Sequence, residues 1–174
     1  MQNSIDAGTL TAAATPTLLR RLISMLYEAF LLFAVVFLAG LVFAVATQNR
    51  HEPTYRHALQ FVLFLVMATY FIYLWTRKGQ TLAMKTWRIT LIKPGHDQVP
   101  LASAAARFLL AWMWFLPALA LYYALGLKGW LEACAMIAGG IALWACTALF
   151  DKDRQFLHDR ILGTRLVHIP KQAA

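Results

Sequence analysis

Glu28 is the residue of this 174-residue chain whose chemistry most needs an explanation. It lies six residues, roughly 9 Å of helical rise, inside a long apolar run. An ionised carboxylate at that depth is costly unless it faces protein or water and finds a partner. Arg21, seven residues earlier, and Arg107, near the start of a later apolar run, are the candidate partners. Two readings stay open: a buried ion pair that fixes helix register, and a carboxylate that binds a proton or a cation.

Other chemistries are poorly supplied. Cys134 and Cys146 are twelve residues apart on one expected helix, about 18 Å along its axis, so they cannot bond to each other as a thiol oxidase would need. His51, His57, His96, His158 and His168 all fall outside the apolar runs, which leaves no axial pair for membrane haem. His51 and Glu52 begin a metalloprotease pattern, but its second histidine is replaced by Tyr55. That segment reads as a solvated loop, and neither a metal nor a cofactor is expected. Nowhere do a nucleophile, a base and an orienting group occur together, so the chain is not expected to be an enzyme.

The elements that must position Glu28 follow from hydrophobicity. The chain is 60% hydrophobic and 14% charged, against roughly 25% charged in a soluble domain. About 20 mostly apolar residues span the hydrocarbon core as a helix, and four runs meet that length, near 22–46, 58–75, 104–125 and 130–150. The expected fold is therefore an all-α integral membrane bundle of four transmembrane helices. Trp75, Trp130, Tyr27, Tyr122 and Tyr123 fall near the run limits, as interfacial aromatics do. Pro117 predicts a kink in the third helix. Ala135 and Gly139, with Ala138, Ala142 and Cys146, form four-residue spacings of small side chains that predict a packing seam on the fourth.

Lysine and arginine set the expected orientation, because loops on the cytoplasmic side carry an excess of them. Arg20, Arg21, Arg77, Lys78, Lys85, Arg88, Lys93, Arg107, Lys152, Arg154, Arg160, Arg165 and Lys171 fall on one side, and only Arg50, Arg56 and Lys128 on the other. Both termini are expected inside. The net charge of +8 then reflects topology and attraction to anionic lipid rather than nucleic acid. Residues 1–19 read as a disordered cytoplasmic tail and 20–170 as one membrane domain. The first helix is expected to be retained, since its apolar run is longer than a cleaved signal core.

Two stretches outside the helices carry pattern. In the internal loop, 76–103, Trp87 to Leu91 alternates apolar with polar and then turns at Pro94 and Gly95, which predicts a strand. In the internal tail, 151–174, Phe156, Leu157, Ile161 and Leu162 are expected on one side of a short amphipathic stretch. A break at Gly163 and a second strand through Thr164 to Ile169 follow. Each strand alone leaves backbone groups unpaired, so the two are expected to pair as a small cytoplasmic β ribbon.

These residues resemble the RDD family of small multi-pass membrane proteins. Arg21 matches its arginine, Glu28 stands at its first aspartate with an added methylene, and Asp159 matches its second within Leu157-His158-Asp159-Arg160 and Gly163-Thr164-Arg165. Gly79, Thr81 and Lys85 look like the family's loop motif, with Ala83 where a second glycine is usual. The resemblance covers about 20–169 and implies a bacterial inner membrane. Some members are linked to cation/proton exchange, so transport of a small ion or solute is the activity it implies. From the residues themselves, Arg21, Glu28, Arg107, Asp159 and Arg160 are expected to converge at the cytoplasmic helix ends, where alternating charges lower one another's burial cost. The alternative is a non-catalytic scaffold whose basic cap binds a protein or anionic lipid, in a bilayer, alone or as a homo-oligomer.

Overall fold

The computed structural model describes residues 14–48, 53–151 and 155–169, without the side chains of residues 53, 54 and 114. Of the tail 1–19 expected to be disordered, residues 1–13 lie outside the described residues, as does the pair His51 and Glu52, while Leu18 and Leu19 are helical. Helix α1 (Leu18–Ala46) starts behind Thr17, whose hydroxyl accepts the Arg20 amide, and α2 (Pro53–Lys78) returns beside it. A short helix α3 (Leu82–Thr86) and strand β1 (Ile89–Ile92) lead into α4 (Leu101–Ala111). Then come a 3-10 turn (Trp112–Trp114), α5 (Leu116–Ala124), α6 (Trp130–Thr147), α7 (Leu157–Leu162) and strand β2 (Arg165–His168). α1, α2, α4 with α5, and α6 are the four membrane spans, each long and apolar enough to cross a bilayer.

Few span side chains are buried. Phe33 is 72% exposed and Val45 likewise 72%, as expected of surfaces solvated by lipid rather than water. The buried core sits instead at one end of the bundle, where Trp75, Phe108, Trp144 and Ala148 from the spans meet Ile89, Phe156 and Leu166 from the loop and tail. We call this end the cap. Phe64 and Phe71 of α2 pack against Phe108, with centroids 5.3 Å and 6.1 Å apart, so aromatic packing joins α2 to α4 just beneath it.

The two strands pair antiparallel as expected, Ile89 opposite His168 and Ile92 opposite Arg165. Each outer edge is covered by a glutamine. Gln80 donates to the Ile89 carbonyl at 2.9 Å. Gln155 accepts the Leu166 amide at 3.0 Å and donates to its carbonyl at 3.2 Å, standing in for a strand neighbour. The Gly79 carbonyl accepts the Leu91 amide, and the Ala14 carbonyl accepts that of His168. A two-stranded ribbon is marginal alone, and these side-chain amides supply the pairing that further strands would give.

Four expectations are corrected. Between Gly79 and β1 the chain forms α3, and the strand begins only at Ile89 because Arg88 adopts a left-handed φ of 54°. The third span breaks rather than bends: Pro117 lies in the first turn of α5, where its missing amide costs no helical bond, and the 3-10 turn carries the change. The small residues Ala135, Ala138, Gly139, Ala142 and Cys146 all face outward, while α6 packs through Ile141, Trp144, Ala145 and Ala148. In α7, Leu157 and Ile161 are exposed, and His158 and Asp159 are the residues buried.

Candidate functional site

Two polar clusters occupy the cap. The first is assembled by α7, which the left-handed Gly163 (φ 62°) ends sharply, turning the chain back so that Thr164 donates its amide to the Asp159 carbonyl. Asp159 is 0% exposed. Its Oδ1 accepts from Arg107 Nη1 and, at 2.9 Å, from the Thr164 hydroxyl. The Arg107 guanidinium also lies over the Trp75 ring, 4.9 Å from its centroid. A buried carboxylate is tolerable only with such charge pairing and hydrogen bonding.

Beside this pair runs a column of flat groups. Arg21 lies 4.4 Å over Phe156, Phe156 is 5.8 Å from His158, and His158 is 6.1 Å from Trp144, with ring planes within 15° of parallel. The tail helix is thereby held to α1 through Arg21, to α4 through Asp159 and to α6 through Trp144. Burial pushes the His158 imidazole down to about 4 despite the attraction of Asp159, with Arg107 and Arg21 pushing the same way. It is neutral at pH 7.

Between about pH 6.5 and 4 the unfolded chain binds a proton at His158 that the folded chain refuses. The stabilisation is complete above that window and is lost as pH falls through it, by at most about 1.4 kcal/mol per unit. Thermal unfolding in detergent between pH 7 and 5 should show this slope, and His158→Phe, which keeps a ring in the column, should flatten it. An unchanged slope in that variant assigns the dependence to other groups.

The second cluster surrounds Glu28. Its Oε1 accepts from the Tyr70 hydroxyl at 2.5 Å and its Oε2 from the Thr81 hydroxyl. Thr81 is also the cap of α3, accepting the Met84 amide at 3.3 Å. Gly79 is needed because its φ is 64° and a Cβ there would lie 2.7 Å from the Leu91 carbonyl oxygen. Thus Gly79 and Thr81 serve the site directly, whereas Lys85 is exposed on α3.

The expected convergence of five charged residues is therefore corrected. Arg21, Arg107 and Asp159 come together. Glu28 joins neither arginine, and no described cation lies within ion-pairing distance of it. Arg160 is exposed and pairs with Asp151 beside a surface cleft of about 340 Å³ that Gln155 and Arg165 also line. Tyr70 was not singled out by any motif. Its signal in the sequence is a hydroxyl set within an apolar run at a depth comparable to that of Glu28. His158, whose neighbours in the column are mostly remote in sequence, offered no such signal beyond adjoining Asp159.

The Glu28 cluster presents two carboxylate oxygens and two hydroxyls. This set suits a proton or a hard cation, which takes oxygen ligands. The model of the RDD family matches residues 15–163. No curated protein and no solved structure matches the chain.

Proposed function

Since the chain belongs to the RDD family, we propose that it moves a proton or small cation across a membrane, with Glu28 as the carboxylate that takes up the ion. One observation carries this reading: a buried carboxylate within a membrane span is held by two hydroxyls and has no cationic partner among the described residues. Intramembrane acids that face protein in this way mark ion or proton sites. Hydroxyls can donate to the empty carboxylate and turn to offer lone pairs to an ion.

Flux in sealed proteoliposomes tests it. Wild-type protein should dissipate an imposed proton or sodium gradient, Glu28→Gln should abolish that flux, and Tyr70→Phe should reduce it about tenfold, as expected for loss of one hydrogen bond to a charged group of about 1.5 kcal/mol or more. Equal flux from wild type and Glu28→Gln at equal reconstitution defeats the reading.

We further propose a bacterial inner-membrane location with both termini and the cap in the cytoplasm. Exposed Arg77, Lys78, Lys85, Arg88 and Arg160 gather at the cap, whereas exposed Arg56 and Lys128 lie at the other end of the spans. In a background of Cys134→Ser and Cys146→Ser, a membrane-impermeant maleimide should label Lys128→Cys and not His96→Cys in intact cells. The reverse pattern inverts the topology.

The same exposed cations favour a second reading, a scaffold that holds anionic lipid or protein at its cap. Preference for vesicles containing phosphatidylglycerol over neutral ones, surviving Glu28→Gln, would support it. Self-association, which would help four spans enclose a path, is read from native cross-linking in the same vesicles.

A further inference from the structure

Glu28 has a second connection. Of its two hydroxyl donors, Tyr70 comes from a membrane span, on α2, and Thr81 belongs to the cap. No described charged group touches the carboxylate, and Arg21, the nearest cation along α1, is engaged over Phe156. Building on the proposed ion site, we infer that occupation of Glu28 is coupled to the order of the 79–92 segment of the cap.

The chemistry of the donors gives the reason. A carboxylate accepts charge-assisted hydrogen bonds that are roughly twice as strong as neutral ones. A proton or cation at Glu28 weakens that assistance in both bonds. The Tyr70 hydroxyl can turn and offer a lone pair instead, because a hydroxyl both donates and accepts. The Thr81 oxygen is less free to do so, because it already accepts the Met84 amide at 3.3 Å as the cap of α3. An occupied Glu28 therefore disfavours the present placement of Thr81 against α1.

The consequence reaches β1 through short covalent and hydrogen-bonded links. Thr81, bonded to Glu28, caps α3. Two residues before it, the Gly79 carbonyl holds the Leu91 amide at 2.7 Å, and Gln80 holds the Ile89 carbonyl and, at 2.7 Å, the Thr90 hydroxyl. Movement at Thr81 therefore acts on the whole outer edge of β1. The tail helix α7 is fastened by different charges, Asp159 to Arg107 and the stacked column to Arg21, none of which involves Glu28. Ion uptake thus loosens one half of the cap and leaves the other anchored, giving the cytoplasmic face of the proposed transporter an element that responds to the state of the site.

Amide hydrogen exchange on the full-length protein in lipid nanodiscs tests this. At one pH, peptides from 79–92 should exchange about fivefold or more faster in Glu28→Gln than in wild type, the lower end of ordinary coupling strengths. Glu28→Asp should lie between them, and peptides from 157–162 should be unchanged. Should Glu28→Gln not fold, wild type in sodium chloride is compared with wild type in choline chloride at equal ionic strength. Sodium should speed exchange of 79–92 alone. Equal exchange of 79–92 in the pair compared, or equal acceleration of 157–162, overturns the coupling. Vesicle flux of the same preparations separates the two ideas: flux lost with 79–92 unchanged leaves the ion site standing and removes the coupling. Loosening of 79–92 without any ion-dependent flux does the opposite.

Discussion

Asp159→Ala should destabilise the protein by about 3–5 kcal/mol, the cost of stranding a buried charge. Arg107 is 6% exposed and Asp159 0% exposed, so neither solvent nor a neighbouring side chain takes over when one partner is removed. The alanine variant also leaves the Thr164 hydroxyl without its 2.9 Å acceptor, and removes a carboxylate that attracts Arg21 at the end of the column. Thermal unfolding followed by tryptophan fluorescence reads the loss directly, since Trp75 and Trp144 flank the pair. The double variant Arg107→Leu with Asp159→Leu should be less destabilised than Asp159→Ala, because exchanging a buried pair for apolar side chains restores packing without orphaning a charge. A single variant within about 1 kcal/mol of wild type would show the pair to be hydrated and unimportant to the fold.

Gly79→Ala should be nearly as damaging and for a different reason. A left-handed φ costs an L-residue about 1–2 kcal/mol, and here the added methyl would also sit 2.7 Å from the Leu91 carbonyl oxygen, a backbone atom that cannot swing aside. Relief requires parting Gly79 from β1, which breaks the hydrogen bond from the Leu91 amide to the Gly79 carbonyl and displaces Gln80 and Thr81 from Ile89 and Glu28. The expected total is about 3 kcal/mol, the upper end for strained backbone positions. Gly163→Ala is the control: its φ of 62° is similar, but a Cβ there meets nothing within 4 Å. It should lose only the conformational part, about 1–2 kcal/mol. If the two substitutions prove equally mild, the close approach at Gly79 does not constrain the cap.

Much of this architecture was legible in the residues. Four apolar runs of bilayer length can be satisfied only as helices, and the spans fall where those runs do. The ribbon was legible as well, because Ile89 to Leu91 and Arg165 to Val167 alternate in a period that a helix cannot use. Less was visible at the site. Alternation could not say that Gln80 and Gln155 would close the ribbon's edges. Amphipathic spacing misjudged α7, where the buried face is His158 and Asp159. That face is turned inward by Arg107, Arg21 and Trp144, none of them within ten residues of it in sequence.

Run length and alternation are properties of a segment by itself, so the sequence alone determined that the chain spans a membrane four times and carries a two-stranded cap. The choice of partner for a buried charge belongs to the tertiary structure, because the energy of ionising or pairing such a group is set by whichever dipoles and charges distant segments bring within a few ångströms. Only the folded chain decided that Asp159 joins Arg107, 52 residues away, and that Glu28 is left to two hydroxyls.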